Sequence, residues 1–405
     1  MTQRLYYHDS FLYDFEAEVR EIAESPKPAL VLDKTAFYPS SGGQIHDTGV
    51  ISAGNESLNV IEVADAEDGR VVHYLEAPPK QIKPGTTIRG RIDPARRRDH
   101  MQQHTGQHVL SAAFIRLFNM PTVSFHMGDD YCSIDLETPV LTREQVEQSE
   151  RLANEIILEN RPVQIRFVTR DEAAKLGLRK IPPAERDQLR LIDIQEFDLN
   201  ACGGTHVNQT GQIGCILLRK TEKVRPGWRV EFVAGQRGIA TARRDFTTLT
   251  EAGATFSAHI YDVPQQISKS LEEIRNLRKQ REQSLEELAE AQAAALLVET
   301  SRVDGRKVVT RAFSARELNF IKLLAQKLTR LDSNVIALLG STSPQPSLVF
   351  AQSAGLTSDM GSLLKQTVST FGGRGGGSKD MAQGGIQSAE RIEEALKYAS
   401  TSLRG

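Results

Sequence analysis

The sequence predicts an α+β fold in four consecutive parts. These are a small β-barrel over residues 1–92, an α+β domain over 93–245, a helical or coiled-coil linker over 260–300, and a C-terminal α/β domain with a glycine-rich run over 301–405. Three observations predict it. The N-terminal segment breaks into short apolar or β-branched runs between Gly, Pro and Asp turn signals. Strand-like and helix-like stretches alternate both before and after the linker. Between them, residues 264–299 form an unbroken, highly charged helical stretch.

In chain order, the run 29–32 reads as a buried strand, followed by the turn-rich segment Tyr38-Pro39-Ser40-Ser41-Gly42-Gly43. Further strands are expected at 57–63, 70–75 and 87–92, enough to close a small barrel. Asp93-Pro94 marks a helix start, with Asp as N-cap and Pro in the first turn, and the helix is expected to reach 118. Strands at 132–136, 163–169, 191–194, 215–220 and 228–234 surround a helix over 143–159. In the linker, Ile267, Leu271 and Ile274 keep heptad spacing and Leu285 and Leu288 resume it, with Arg278 and Arg281 interrupting the seam. A spacer or short coiled-coil hairpin follows from that pattern. The tail alternates again: strands 307–313, 335–339 and 348–352, helices 317–328, 363–370 and 388–400, and the run GGRGGGSKDMAQGG.

Fifty basic and 52 acidic side chains nearly cancel, so nucleic-acid binding would have to come from local patches. Three cysteines, Cys132, Cys202 and Cys215, are too few for a disulfide framework and suit a reducing compartment. The segment MTQRLYYHDSFLYDF lacks the basic and apolar regions of a signal peptide, and no apolar run approaches the roughly 20 residues of a membrane helix. A cytoplasmic protein without membrane contact is expected.

His104 and His108 stand four apart on the predicted helix, so their imidazoles leave one face about 6 Å apart at Cβ. Cys202-Gly203-Gly204-Thr205-His206 offers a thiolate and an imidazole across a glycine turn tight enough for both to converge. These are zinc's preferred ligand types, and together the pairs predict one zinc ion held by His104, His108, Cys202 and His206. A zinc peptidase would need Glu directly after the first histidine, where this chain has Thr105. His100, one turn earlier on the same stripe, is expected at the solvated surface, and Cys132 and Cys215 are expected as buried apolar side chains.

The segments HTGQHVLSAAF and ACGGTHVNQTGQIG in one chain resemble the editing domain of alanyl-tRNA synthetase and its free-standing relatives, the alanyl-tRNA editing proteins. DKTAFYPSSGGQIHDTGVI is similar to the family's N-terminal glycine motif, and SFHMGDDYCSIDL to the strand that lines the editing pocket. LRLIDIQEFDLNACGGTH and WRVEFVAGQRG match its later blocks. The glycine-rich tail resembles the DHH-associated domain, and the arrangement looks like the family's long form.

The resemblance implies hydrolysis of tRNA(Ala) mischarged with serine or glycine, with Thr35 meeting the serine hydroxyl. Gln44, in the SGGQ turn, is the candidate to orient water or ester; a plain turn residue is the competing reading. His126 lies in the pocket-lining segment. RNA phosphates would be met by the basic cluster Arg96, Arg97 and Arg98, and a second patch comprises Lys220, Lys223, Arg225 and Arg229. GGRGGGSKD fits neither a phosphate loop nor GxGxxG. The resemblance assigns Gly375, Gly376 and Gly377 to tRNA binding, and the tail to dimerisation. Pro39-Ser40 replace the Ala-Glu usual in the synthetases. Asp99-His100-Met101 is not a DHH motif, and no class II aminoacylation core is expected ahead of the editing region. A non-catalytic tRNA-binding module with structural zinc, or hydrolysis of a small ester unrelated to RNA, are the alternatives.

Overall fold

Six strands close a barrel in the order Asp14–Ala23, Ala29–Leu32, Val71–Leu75, Glu56–Asp65, Gly49–Ala53 and Thr87–Ile92. Strand periodicity drives it: in Thr87–Ile92 the pattern alternates, with Ile88, Gly90 and Ile92 inward. Val19, Leu30, Ile51, Val60, Val63, Ile88 and Ile92 fill the interior. Two of these strands, Asp14–Ala23 and Gly49–Ala53, were not expected from the sequence. The computed structural model describes residues 1–24, 27–176, 178, 188–225 and 227–403. It divides into two compact units, Met1–Glu251 and Ala252–Gly405.

After the barrel, helix α1 spans Pro94–Phe118, and the Asp93 side chain accepts from the backbone N–H of Ala95 and Arg96. Asn119, at φ 53°, ends it in the left-handed conformation. Helix α2, Arg143–Leu158, starts in a Thr142/Gln145 capping box. α3 is the short Arg170–Lys175. An antiparallel sheet runs Ile216–Lys223, Trp228–Ala234, Cys132–Leu136, Thr122–Met127, and a second runs Val163–Thr169, Gln188–Ile194, Asp198–Ala201. One core joins them, built from Val109, Leu110 and Phe114 of α1, Ile156 and Ile157 of α2, and Ile134, Phe232 and Ile192 of the sheets. Helix α4, Gly235–Thr255, runs through the division between the units.

In the second unit, Val263–Glu299 is one continuous helix, α5, rather than a hairpin. Its C-terminal turns bury Ala289, Ala293, Leu296 and Leu297 and pack Leu285 against the core shared with the helix Leu318–Leu331, whereas the seam's first part, Ile267, Leu271 and Ile274, is exposed. Five strands follow in the order Lys307–Phe313, Val335–Ser341, Ser347–Gln352, Met381–Gly385, Arg374–Gly377, with the first pair parallel and the rest antiparallel. Alternation in the fully buried strand Val335–Ser341 separates two cores. Ala337 and Leu339 face α5 and α6 (Leu318–Leu331), whereas Ile336 and Leu338 face α7 (Met360–Thr370) and α8 (Ile392–Ser402). The glycine-rich run forms the last two strands, where a Cβ on Gly377 would lie 2.3 Å from the Met381 carbonyl oxygen. Among the described residues, no helix is long and apolar enough to cross a membrane.

Candidate metal centre

Helix α1 presents His104 and His108, and the strand Asp198–Ala201 leads directly into Cys202 and the turn that carries His206. The ligand atoms of these four residues all lie within 4.8 Å of one another. Cys202 Sγ is 3.4 Å from His104 Nε2 and 3.3 Å from His206 Nε2. Zn–N near 2.1 Å and Zn–S near 2.3 Å at tetrahedral angles put ligand atoms roughly 3.4–3.6 Å apart, so this donor set fits zinc. The turn needs its glycine: a Cβ on Gly204 would sit 2.1 Å from His104 Cε1. Gly204→Ala is therefore expected to force His104 off its position and lower bound zinc at least about tenfold, read by metal content after gel filtration.

Each imidazole is held from behind. His104 Nδ1 meets Gln44 Oε1 at 2.7 Å, His108 Nδ1 meets Asp198 Oδ2 at 3.3 Å, and His206 Nδ1 meets Thr105 Oγ1 at 3.2 Å. With Nδ1–H donating to these oxygens, every Nε2 lone pair is left for a metal. Asn200 Nδ2 donates to Asp198 Oδ2 at 2.7 Å, and the Val207 N–H donates to Thr105 Oγ1 at 3.2 Å. Burial pushes the His206 imidazole down to about 3, which keeps it neutral, the form that binds metal. Burial raises the Cys202 thiol, but the His104 and His206 imidazoles outweigh it and hold it well below the ordinary range. Cys132, by contrast, is pushed by burial up to about 12, an inert thiol. Cys215 is half-buried rather than in the core.

The rest of the site is assembled by packing. Phe125 stacks on His104, with centroids 5.4 Å apart and planes at 25°. The glycine turn closes on that strand: Met127 N–H donates to Gly43 O at 3.0 Å, and a Cβ on Gly43 would meet the Phe125 carbonyl oxygen at 2.4 Å. Arg190 donates to Cys202 O at 2.6 Å and to Tyr7 O at 2.9 Å. His206 N–H donates to Ser10 Oγ at 3.1 Å.

The sequence-predicted residues divide in two groups. Gln44 joins the centre but from behind. It is buried, its Oε1 serves His104 and the Thr205 N–H, and its Nε2 donates to Thr205 Oγ1 at 2.9 Å, an arrangement that positions the His104 imidazole. Gln44→Ala is expected to weaken zinc binding about 10–100-fold with the fold intact, measured by chelator competition. Thr35 is fully buried in the barrel. Its hydroxyl lies 2.8 Å from His73 Nε2 and accepts from the Phe37 N–H at 3.1 Å. The basic cluster needs correction at Arg97, which is fully buried. It pairs with Asp47 and donates to Ser10 O at 2.8 Å and Ala36 O at 2.6 Å, leaving nothing for RNA. Arg96 is half-buried and Arg98 exposed. His100 is buried, not solvated.

His126 is exposed on the opposite side of its strand from Phe125, because successive residues alternate faces. In the second patch, Arg229 is paired with Asp135 at 2.7 Å and Lys220 with Glu222 at 2.5 Å. Gly375, Gly376 and Gly377 lie in the second unit, on the outermost strand of its sheet. Asp198, Thr105, Phe125 and Arg190 are site residues that the sequence reading passes over. Asp198, Asn200 and Cys202 alternate along one strand face, a signal that points to Asp198. The others need the tertiary fold.

Three family profiles match the chain: "tRNA synthetases class II (A)" over residues 3–96, "Threonyl and Alanyl tRNA synthetase second additional domain" over 189–230, and "DHHA1 domain" over 305–405. The alanine–tRNA ligase of Thermococcus kodakarensis is 33% identical over 99% of this chain and 44% of its own length. That of Pyrococcus furiosus is 30% identical, over 99% of this chain and 44% of its length. The chain thus spans less than half of these ligases. The alanyl-tRNA editing protein AlaX-L of Pyrococcus horikoshii is 30% identical over 100% of this chain and 99% of its own. With end-to-end similarity to that protein, and the His-His-Cys-His cluster assembled in its fold, the chain belongs to the family of the long-form alanyl-tRNA editing proteins.

Proposed function

We propose that this protein hydrolyses the ester of tRNA(Ala) mischarged with serine, and its glycine counterpart, at a centre holding one zinc ion through His104, His108, Cys202 and His206, in the cytoplasm. The observation that carries the reading is the convergence of three Nε2 atoms, each fixed through Nδ1, on the Cys202 thiolate. Preorganised, deprotonated donors are what a functional metal needs. When bound, zinc supplies a fixed positive charge that polarises an ester carbonyl or anchors the substrate's amino group.

The protein's own groups do the rest. Phe125 walls the His104 side, Gln44 and Asp198 hold the imidazoles, and Arg190 sits behind Cys202 as a cation. An alanine pocket discriminates against serine or glycine by only about 1–3 kcal/mol, which makes a second, hydrolytic site useful. Serine selection at Thr35 requires its hydroxyl to exchange His73 for the substrate. RNA contact falls to Arg96, Arg98 and the glycine strand at Gly375–Gly377, and the second unit is the proposed dimer contact.

One observation favours a second reading. Four protein donors fill a tetrahedron, as structural zinc sites do, which suits a non-catalytic tRNA-binding module. Comparing hydrolysis of Ser-tRNA(Ala) with Ala-tRNA(Ala) decides between them. Selective loss of the serine ester supports the enzyme, while survival of both esters with tRNA still bound replaces it with the binding module.

A further inference from the structure

Alternation along the strand Cys132–Leu136 turns Cys132, Ile134 and Leu136 to the core and Ser133 and Asp135 to the opposite face of the sheet. The pairing registers set the side chains of that face in rows across four strands. One row is Glu222, Arg229, Asp135 and Ser124, and the next is Lys220, Glu231, Ser133 and His126. The first row is satisfied: Arg229 pairs with Asp135 at 2.7 Å, and Ser124 Oγ donates to Asp135 Oδ2 at 2.6 Å. Glu222 draws its cation from the other row, pairing with Lys220 at 2.5 Å.

That exchange leaves the second row without a counter-charge. Among the described residues, Glu231 has no ion-pair partner, and neither the His126 ring nor Ser133 Oγ has a hydrogen-bond partner. Ser133 is only 5% exposed. A cleft of about 540 Å³ opens over this row, lined by Ser133, His126 and Glu231 and by Asp129 and Asp130 of the connecting turn. Both aspartates are exposed, and neither is paired among the described residues. Arg229 also lines the cleft, but its guanidinium is committed to Asp135. Three carboxylates without a partner thus share one concavity with a buried hydroxyl that has none either, and buried hydroxyls are ordinarily hydrogen-bonded. Like charges gathered in this way favour a cation.

We propose that this cleft binds a hydrated divalent cation of the magnesium class. Among the described residues, only His104, His108, Cys202 and His206 converge closely enough to hold an ion directly between three or more side chains. Magnesium suits the wider spacing of the cleft, because it gives up its waters reluctantly and is held by one or two carboxylates with several waters retained. Those waters donate to Glu231, to the two aspartates and to Ser133 Oγ. The position lies across the strand Thr122–Met127 from Phe125 and His104, so it is separate from the four-donor centre and independent of the reaction proposed there.

The test uses the full-length, zinc-loaded protein with Mn²⁺ as the probe, bound ion being read from the loss of the free Mn²⁺ paramagnetic resonance signal. Saturable binding that Mg²⁺ displaces, at unchanged zinc content, is expected. Glu231→Gln, and separately the pair Asp129→Asn/Asp130→Asn, are expected to weaken it about tenfold each, and Ser133→Ala several-fold. Glu222→Gln is expected to weaken it too, because Lys220 is then free to turn to Glu231, its neighbour across the strands. Glu16→Gln removes an exposed carboxylate from the barrel and is expected to change it by less than about twofold. Absence of saturable Mn²⁺ binding overturns the proposal, as does an equal loss in Glu16→Gln and Glu231→Gln, which would mean diffuse attraction. Displacement by spermidine but not by Mg²⁺ replaces the divalent ion with an organic cation. Loss of zinc in step with Mn²⁺ uptake places the probe at the four-donor centre and overturns it as well.

Discussion

Under the proposed function, Cys202→Ala is expected to abolish zinc binding and to slow Ser-tRNA(Ala) hydrolysis by at least about 100-fold. Cys202 is the one thiol of the donor set and so the one member that can bring a negative charge; the other three offer imidazole nitrogens. Without the thiolate, a divalent ion would meet no opposite charge in direct contact, with the Arg190 guanidinium bonded to the same residue's carbonyl nearby. Cys202→Ser should behave almost as badly, because a serine hydroxyl does not ionise in this range. Zinc content and single-turnover deacylation are measured on the same preparation. A variant that loses zinc yet hydrolyses at the wild-type rate assigns the ion a structural part. Retention of zinc at wild-type affinity removes Cys202 from the ligand set.

The second large effect is on stability. Arg97 and Asp47 form an ion pair whose side chains are both 0% exposed. Asp47 Oδ2 also accepts from the Tyr38 N–H at 2.7 Å, and Arg97 satisfies the Ser10 and Ala36 carbonyls. Asp47→Leu leaves a guanidinium buried without its partner and is expected to cost about 3–5 kcal/mol. Trp228, the single tryptophan, lies in the first unit and reports its unfolding in urea. The double variant Asp47→Leu/Arg97→Met removes both charges and is expected to recover much of that loss, since apolar replacements of buried pairs are often near neutral. A loss below about 1 kcal/mol in the single variant would mean that water reaches the pair.

The clustering of His104, His108, Cys202 and His206 was legible because each pair carries its own local geometry, one helical turn or one glycine turn. The start of α1 was legible from Asp93-Pro94, and the strands Trp228–Ala234 and Lys307–Phe313 from dense β-branched and aromatic runs. The strand Asp14–Ala23 escaped because its inward positions include the small Ala17 and its outward ones are acidic, which mutes the alternation. Helix α4 carries three glycines and several threonines, a composition with low helix propensity. Arg97 was misplaced because three adjacent arginines look like one basic patch. A helix turns 100° per residue, so the middle one points inward to an acid 50 positions away that only the fold brings near. The same limit hid Asp198 and Gln44 as partners of the imidazoles.

The strand Arg374–Gly377 has a consequence for how the sheet of the second unit ends. It is an outermost strand, so one row of its backbone N–H and C=O groups faces outward, the arrangement that invites another chain to add itself. Three of its four residues have no side chain. An incoming strand would gain backbone hydrogen bonds but almost no apolar contact, and it would meet the charges of Arg374 and Lys379. The same glycines that allow the close approach to the neighbouring strand thereby make the sheet's open margin a poor template for uncontrolled growth.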